Sequence, residues 1–135
     1  MTRTDSEPRW LEEPLVRFLH QESIRLFGGL PGIRDAGMLA SALNRPRDKW
    51  GYGGESDLET LAAAYAFGLA KNHPFLDGNK RTALLSIRAF LFRNGLTFEP
   101  GEAETVVMIE GLAGGTVSES ELAEWIRASA QPSDP

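Results

Sequence analysis

Residues 73–95 run His73-Pro74-Phe75-Leu76-Asp77-Gly78-Asn79-Lys80-Arg81-Thr82-Ala83-Leu84-Leu85-Ser86-Ile87-Arg88-Ala89-Phe90-Leu91-Phe92-Arg93-Asn94-Gly95. The second half leaves little polar circumference, because Leu84, Leu85, Ile87, Ala89, Phe90, Leu91 and Phe92 fall all round a 3.6-residue period. That pattern predicts a buried central helix from Asp77 or Gly78 to Asn94, stopped by Gly95. Upstream, Pro74 disfavours a helical conformation at His73, so the preceding helix ends near Asn72.

Outward from this stretch, helical periodicity continues in both directions. A first helix is expected from Pro8 or Trp10 to Phe27, with Leu11, Leu15, Phe18 and Leu19 on one face and Gly28-Gly29 as its stop. Asp35 is a cap for a short second helix carrying Met38, Leu39, Ala42 and Leu43, which Pro46 ends. Residues 47–56 hold three glycines and no period, and read as an exposed loop. Ser56-x-x-Glu59 is a capping box opening a third helix with Leu58, Leu61, Tyr65 and Leu69 on one face. After Gly95, Thr97-Phe98 is a scrap of extended chain, and a helix follows from Glu102 to Leu112, stopped at Gly114-Gly115. A second capping box, Ser118-x-x-Glu121, opens a last helix with Leu122, Trp125 and Ile126. The sum is an all-α fold of about six helices in one domain, residues 1–135. Its core spans about residues 10–128, with loose ends at 1–7 and 131–135.

A chain of 135 residues with 41% hydrophobic and 24% charged side chains has enough apolar surface for such a core. Cysteine is absent, which excludes disulfides, thiolate zinc sites and cysteine nucleophiles. No apolar run reaches membrane-span length and residues 1–14 lack a signal-peptide core, so a cytoplasmic protein without membrane contact is expected. The net charge of −5 argues against direct nucleic-acid binding by phosphate neutralisation. The charge is uneven. Residues 71–93 carry five basic groups and one acid, whereas residues 94–135 carry eight acids and one arginine. A basic island in an acidic chain marks a local anion site, and the C-terminal acids read as a solvated face.

The island coincides with a helix start. A helix N-terminus offers unpaired N–H groups and the positive end of a dipole, which suit phosphate. Gly78 lets the backbone approach a ligand, and Asn79 can add an amide donor. Lys80 and Arg81 oppose the dipole unless an anion is present. Asp77 can cap the helix, hold Mg²⁺, or do both. Histidine titrates near neutral pH, which makes His73 a candidate general base for a hydroxyl. Base, metal ligand, anion nest and cations within nine residues suit transfer from a nucleotide to an alcohol. The plain alternative for the same residues is a capped helix with a solvated cationic first turn. Phe75 reads as a core anchor and His20 as a packed or hydrogen-bonded structural histidine. Arg88, on the apolar helix, needs a partner the sequence does not identify.

The stretch resembles the Fic/Doc superfamily motif His-x-Phe-x-(Asp/Glu)-Gly-Asn-Gly-Arg-x-x-Arg at His73, Phe75, Asp77, Gly78, Asn79 and Arg81. Lys80 and Leu84 depart from it, the latter where the motif has its second arginine. Asn79-Lys80-Arg81-Thr82-Ala83 is similar to the Doc branch, as are residues 28–35 (Gly-Gly-Leu-Pro-Gly-Ile-Arg-Asp) and Arg93-Asn94-Gly95. The resemblance implies an all-helical Fic fold and the toxin of a bacterial toxin–antitoxin pair. It further implies transfer of the γ-phosphoryl of ATP, with Mg²⁺, to a threonine or serine hydroxyl of a protein, elongation factor Tu, arresting translation. His73 then takes the acceptor proton, Asp77 holds Mg²⁺, and Gly78, Asn79, Lys80 and Arg81 cradle the phosphates. Typical Fic enzymes move AMP instead; Leu84 cannot hold a leaving pyrophosphate as an arginine would. A catalytically lapsed binding module is the remaining alternative. Residues 47–56 fall where Fic proteins carry a target-aligning flap, which would make Trp50, Gly51, Tyr52 and Gly53 its grip. The self-inhibitory motif of many Fic proteins is absent, since Ser120-x-x-x-Glu124 is followed by Trp125, in keeping with an antitoxin acting in trans.

Overall fold

A computed structural model describes residues 2–134. Among them the chain forms α1 (Glu13–Phe27), α2 (Ala36–Gly51), α3 (Leu58–Asn72), α4 (Asn79–Arg93), α5 (Glu102–Gly114) and α6 (Glu119–Ser129). Strands β1 (Leu96–Phe98) and β2 (Ala130–Pro132) pair antiparallel, Thr97 opposite Gln131. No helix among the described residues is long and apolar enough to cross a membrane.

The all-α expectation holds, with a buried central helix, but that helix is α3 rather than α4. Leu61, Ala62, Ala63, Ala64, Tyr65, Ala66 and Leu69 are fully enclosed. The alanines keep α3 narrow, so α2, α4 and α6 can all pack against it. Gly68 extends the same logic: a Cβ there would lie 3.0 Å from the Cα of buried Ala42 on α2. By contrast α4 keeps an open face, with Leu84, Leu85 and Ala89 half-buried and Phe92 69% exposed. Apolar residues all round a helix therefore marked α4 too strongly as the centre; the small alanines of α3, which let neighbours approach on several sides, are what place it there.

Four boundaries differ from expectation. First, α1 starts at Glu13 with Pro14 in its first turn, where a proline fits. Trp10 and Leu11 are instead an extended anchor: the Leu11 N–H donates to the Tyr65 hydroxyl at 2.9 Å, and Trp10 stacks on Phe90. Second, α2 does not end at Pro46 but runs through it to Gly51. Trp50 packs edge-on against Trp10, and Arg45 and Lys49 both pair with Glu119, so tertiary contacts offset the lost hydrogen bond. Third, Asp57 and not Ser56 holds the N-cap position of α3, with no side-chain capping bond; Glu59 is buried and accepts from the Thr2 N–H and hydroxyl at 3.1 and 2.7 Å. Fourth, the ends expected to be loose are tied down. Arg3 bridges Asp57, and β2 pairs with β1; residues 1 and 135 of those ends lie outside the described residues. The two remaining caps stand as expected, Asp35 accepting from the Met38 N–H and Ser118 closing a capping box with Glu121.

The buried N-terminus of α3 holds a polar cluster. Asp57 receives Arg127 at 2.5 Å, the Thr60 hydroxyl at 2.6 Å and the Thr2 N–H at 3.1 Å. Burial pushes both carboxyls of this cluster up. At Asp57 hydrogen bonds from Glu59, Thr60 and Arg127 outweigh burial and bring it to about 2. Glu59, beside Asp57, is held above its ordinary range. The depressed Asp57 value means its stabilisation is complete above the unfolded carboxylate range and is lost as pH falls through about 2. Arg127→Gln is therefore expected to destabilise the fold at neutral pH by about 2–4 kcal/mol, since it strands a buried charge. In urea titrations that difference should shrink as the pH is lowered from 5 toward 2. A second variant tests the helix packing: Gly68→Val should cost about 2–3 kcal/mol by overpacking against Ala42, and unchanged denaturation would show that the α2–α3 contact yields.

Candidate functional site

The site is built on the turn between α3 and α4. His73 caps α3 in the left-handed region, φ 53° and ψ 54°, and is the only non-glycine residue with positive φ among the described residues. Pro74 bars continuation of the helix, so the chain leaves as a loop and re-enters α4 through Gly78, also left-handed at φ 79°. Asn79 closes this loop on itself. Its amide oxygen accepts from the Phe75 N–H and its amide nitrogen donates to the Phe75 carbonyl, both at 3.0 Å. Beneath the loop, buried Phe75 stacks on the His20 ring with centroids 3.8 Å apart. The His20 Nε2 lies 2.8 Å from the Asp77 carbonyl oxygen and must donate, because a carbonyl only accepts.

A second segment is stitched to the first. Residues 28–35 leave α1 and run beside residues 73–77. The Leu76 N–H donates to the Gly32 carbonyl at 3.1 Å, Ile33 and Phe75 form a bridge, and the Leu30 N–H donates to Asp77 Oδ2 at 3.1 Å. Close approach explains Gly29, since a Cβ there would sit 2.8 Å from Asp77 Oδ2.

Above the turn opens a cleft of about 410 Å³. His73, Asp77, Gly78, Lys80 and Arg81 line one side. The structure thus brings together every residue of the motif proposed for chemistry. The first intrahelical bond of α4 runs from the Thr82 N–H to the Gly78 carbonyl, which leaves the N–H groups of residues 79–81 without helical partners at the cleft. Lys80 and Arg81 are exposed but held: Lys80 Nζ meets both Glu110 oxygens at 3.0 Å, and the Arg81 guanidinium lies 4.2 Å from the Phe27 ring centroid.

Two expectations need correction. Asn79 lines the cleft, but its 4%-exposed side chain is engaged at both ends by Phe75, so its first task is to shape the loop, and its backbone N–H is the group without a helical partner. Trp50, Gly51, Tyr52 and Gly53 do not approach the cleft. They lie at the N-terminal end of α3, whose 15 residues separate them from His73 by roughly 22 Å of helix. Trp50 and Gly51 are the end of α2, and Tyr52 is 93% exposed. His20 and Phe75 take the structural roles expected, whereas the half-buried Arg88 Nε has no hydrogen-bond partner.

Leu84, one turn along α4 from Lys80, also lines the cleft, at the position where the family motif has its second arginine; the wall that sequence reasoning misses is Thr105, Val106, Ile109 and Glu110 on α5. Its signal was present: β-branched Thr105-Val106-Val107 opens a helix with poor propensity and leaves two valines more than half exposed. The C-terminal acids are likewise not merely solvated, since Glu110 and Glu119 pair with cations of α4 and α2.

Asp77 is exposed, with Oδ1 accepting from the Gly78 N–H at 2.9 Å and Oδ2 from Leu30, which leaves a lone pair on each oxygen. Among the described residues no group of three or more carboxylates and histidines is placed to hold a metal. A single fixed carboxylate fits Mg²⁺, which completes its shell with water and substrate phosphates, and does not fit zinc.

A model of the Fic/DOC family matches residues 10–91. The chain is 37% identical over 110 residues to a protein of Escherichia phage P1 named protein kinase doc, covering 81% of this chain and 86% of that one. It is 42% identical over 71 residues to a protein of Mycolicibacterium smegmatis named toxin Doc, about half of each chain. The contrast between Asn79 and Lys80 gives a direct check on the site. Asn79→Ala should destabilise the fold by about 2–3 kcal/mol, leaving buried Phe75 backbone groups unpaired. Lys80→Ala, which removes an exposed ion pair, should change stability by less than about 1 kcal/mol in the same denaturation experiment.

Proposed function

The chain belongs to the Fic/DOC family, and from that membership we propose that it is a Doc-like toxin. It transfers the γ-phosphoryl group of ATP to a threonine or serine hydroxyl of a protein, elongation factor Tu being the expected acceptor, and is restrained by a separate antitoxin. The observation that carries the reading is the convergence of His73, Asp77, Lys80 and Arg81 on one cleft at the unpaired N–H groups of α4. Charge, not covalent machinery, is what phosphoryl transfer asks of a protein.

His73 accepts the proton of the acceptor hydroxyl as its oxygen bonds to the γ-phosphorus, while the bond to the ADP oxygen breaks. Lys80, Arg81 and the first N–H groups of α4 bind the phosphates. Asp77 would hold Mg²⁺, which would supply charge neutralisation at the phosphates. Leu84, one turn along α4 from Lys80, adds no cation to the cleft, which disfavours a leaving pyrophosphate there and hence AMP transfer. The target-aligning element is assigned to residues 28–35 instead of Trp50 to Gly53, because that segment runs beside the base-bearing loop and carries exposed Leu30. The name of the phage P1 relative, a protein kinase, supports phosphoryl over AMP transfer.

ATP labelled at the α or the γ phosphate, incubated with this protein, Mg²⁺ and purified elongation factor Tu, tests the proposal. Label from γ alone is expected in the acceptor; label from α means AMP transfer, and label from neither means a binding module. His73→Ala should lower transfer by at least about 10²-fold, the usual scale of a lost general base, and relieve growth arrest while melting cooperatively.

A further inference from the structure

Within residues 28–35 the Arg34 side chain makes contacts that neither core packing nor the capping of α2 explains. Resting on the reading of His73 as the base, we propose that Arg34 is a positioning residue whose guanidinium locks the His73 backbone in the left-handed turn that delivers the imidazole to the cleft. Arg34 Nε donates to the His73 carbonyl at 2.7 Å, and a terminal nitrogen of the same fork donates to the Asn72 carbonyl at 2.8 Å. The Arg34 and Asp35 N–H groups both donate to the Pro74 carbonyl, at 2.7 and 3.0 Å. Three consecutive carbonyls, Asn72 to Pro74, are thus held by two adjacent residues of another segment.

The physical need is specific. The last carbonyls of α3 have no helical partner, and a cation suits that end of the dipole. His73 occupies a region that L-residues avoid unless their surroundings hold them there. The planar fork engages two carbonyls at once in a rigid geometry, which a Lys ammonium on its flexible stem does not reproduce. Arg34 is exposed and does not line the cleft, so it is neither a core residue nor placed to bind phosphate.

The test uses the full chain, γ-labelled ATP and elongation factor Tu, with a non-hydrolysable ATP analogue for binding. Arg34→Ala should lower kcat at least about tenfold, the scale expected when a reacting group is displaced. Its analogue affinity should stay within about threefold, and added guanidinium ion should restore part of kcat. Arg34→Lys should give an intermediate kcat, and it decides the matter if Arg34→Ala proves unfolded. Parental kcat in both variants, or a loss of analogue binding equal to the loss of kcat, overturns the proposal. An activity-free readout separates this idea from the assignment of the base. The chain has two histidines, so imidazole ¹⁵N resonances are assignable by His73→Ala. Arg34→Ala should move the His73 signals and leave those of His20 in place. Unmoved His73 signals refute the positioning role whatever the reaction; moved signals together with active His73→Ala refute only the base.

Discussion

Everything at the cleft depends on a turn that α3 cannot make by itself. Its last residues would continue as helix if Pro74 allowed it, and the left-handed conformation at His73 costs about 1–2 kcal/mol for an L-residue. The compensation comes from both sides of the loop. From within, Asn79 bonds both backbone groups of Phe75. From outside, residues 30–35 pair with residues 72–77 through carbonyls, N–H groups and the Asp77 carboxylate. Each such bond contributes about 0.5–1.5 kcal/mol net, so several together exceed the strain. His73 and Asp77 therefore stand on one over-determined loop and keep a fixed relation to the α4 N-terminus.

This arrangement divides the motif by physical role. His73, Asp77, Lys80 and Arg81 are exposed and reach the cleft with side chains able to meet a ligand. Phe75 and Asn79 are buried and keep the loop in shape. Pattern alone treats the six as one cluster, but substitution in the two groups has different consequences. Loss of an exposed member leaves stability nearly constant, whereas loss of a buried member lowers it.

Much of this was legible in the sequence, where local rules dominate. Asp35 and Ser118 cap helices as their spacing demands, Gly95 and Gly115 end helices with positive φ, and the basic island lies at the α4 N-terminus. What failed involved distant partners. Pro46 did not stop α2, because Trp10 and Glu119 hold the turn beyond it. Ser56 did not cap α3, because Glu59 is drawn to Thr2. Thr97-Phe98 read only as extended chain because its partner strand is 32 residues away. The flap was assigned to a glycine-rich loop by its place in chain order, yet α3 carries that loop to the opposite end from His73. The α5 wall escaped notice because facing surfaces across a cleft share no sequence spacing.

The cationic first turn of α4 illustrates how the site can be stable and still exchange partners. Lys80 and Arg81 oppose the helix dipole, a cost of about 0.3–1 kcal/mol each at an exposed end. In the free protein Glu110 and the face of Phe27 offset this cost. An exposed ion pair contributes about 0–1 kcal/mol and an exposed cation–π contact about 0.5–1 kcal/mol. The terms nearly cancel, so the fold tolerates the unfavourable charges without a ligand. A multiply charged phosphate offers those cations and the free N–H groups of α4 charge-assisted bonds roughly twice as strong as neutral ones. The two side chains can therefore leave Glu110 and Phe27 at small cost when such an anion arrives. The acidic C-terminal half contributes to that balance directly, through the carboxylate of Glu110 that it places opposite the basic turn.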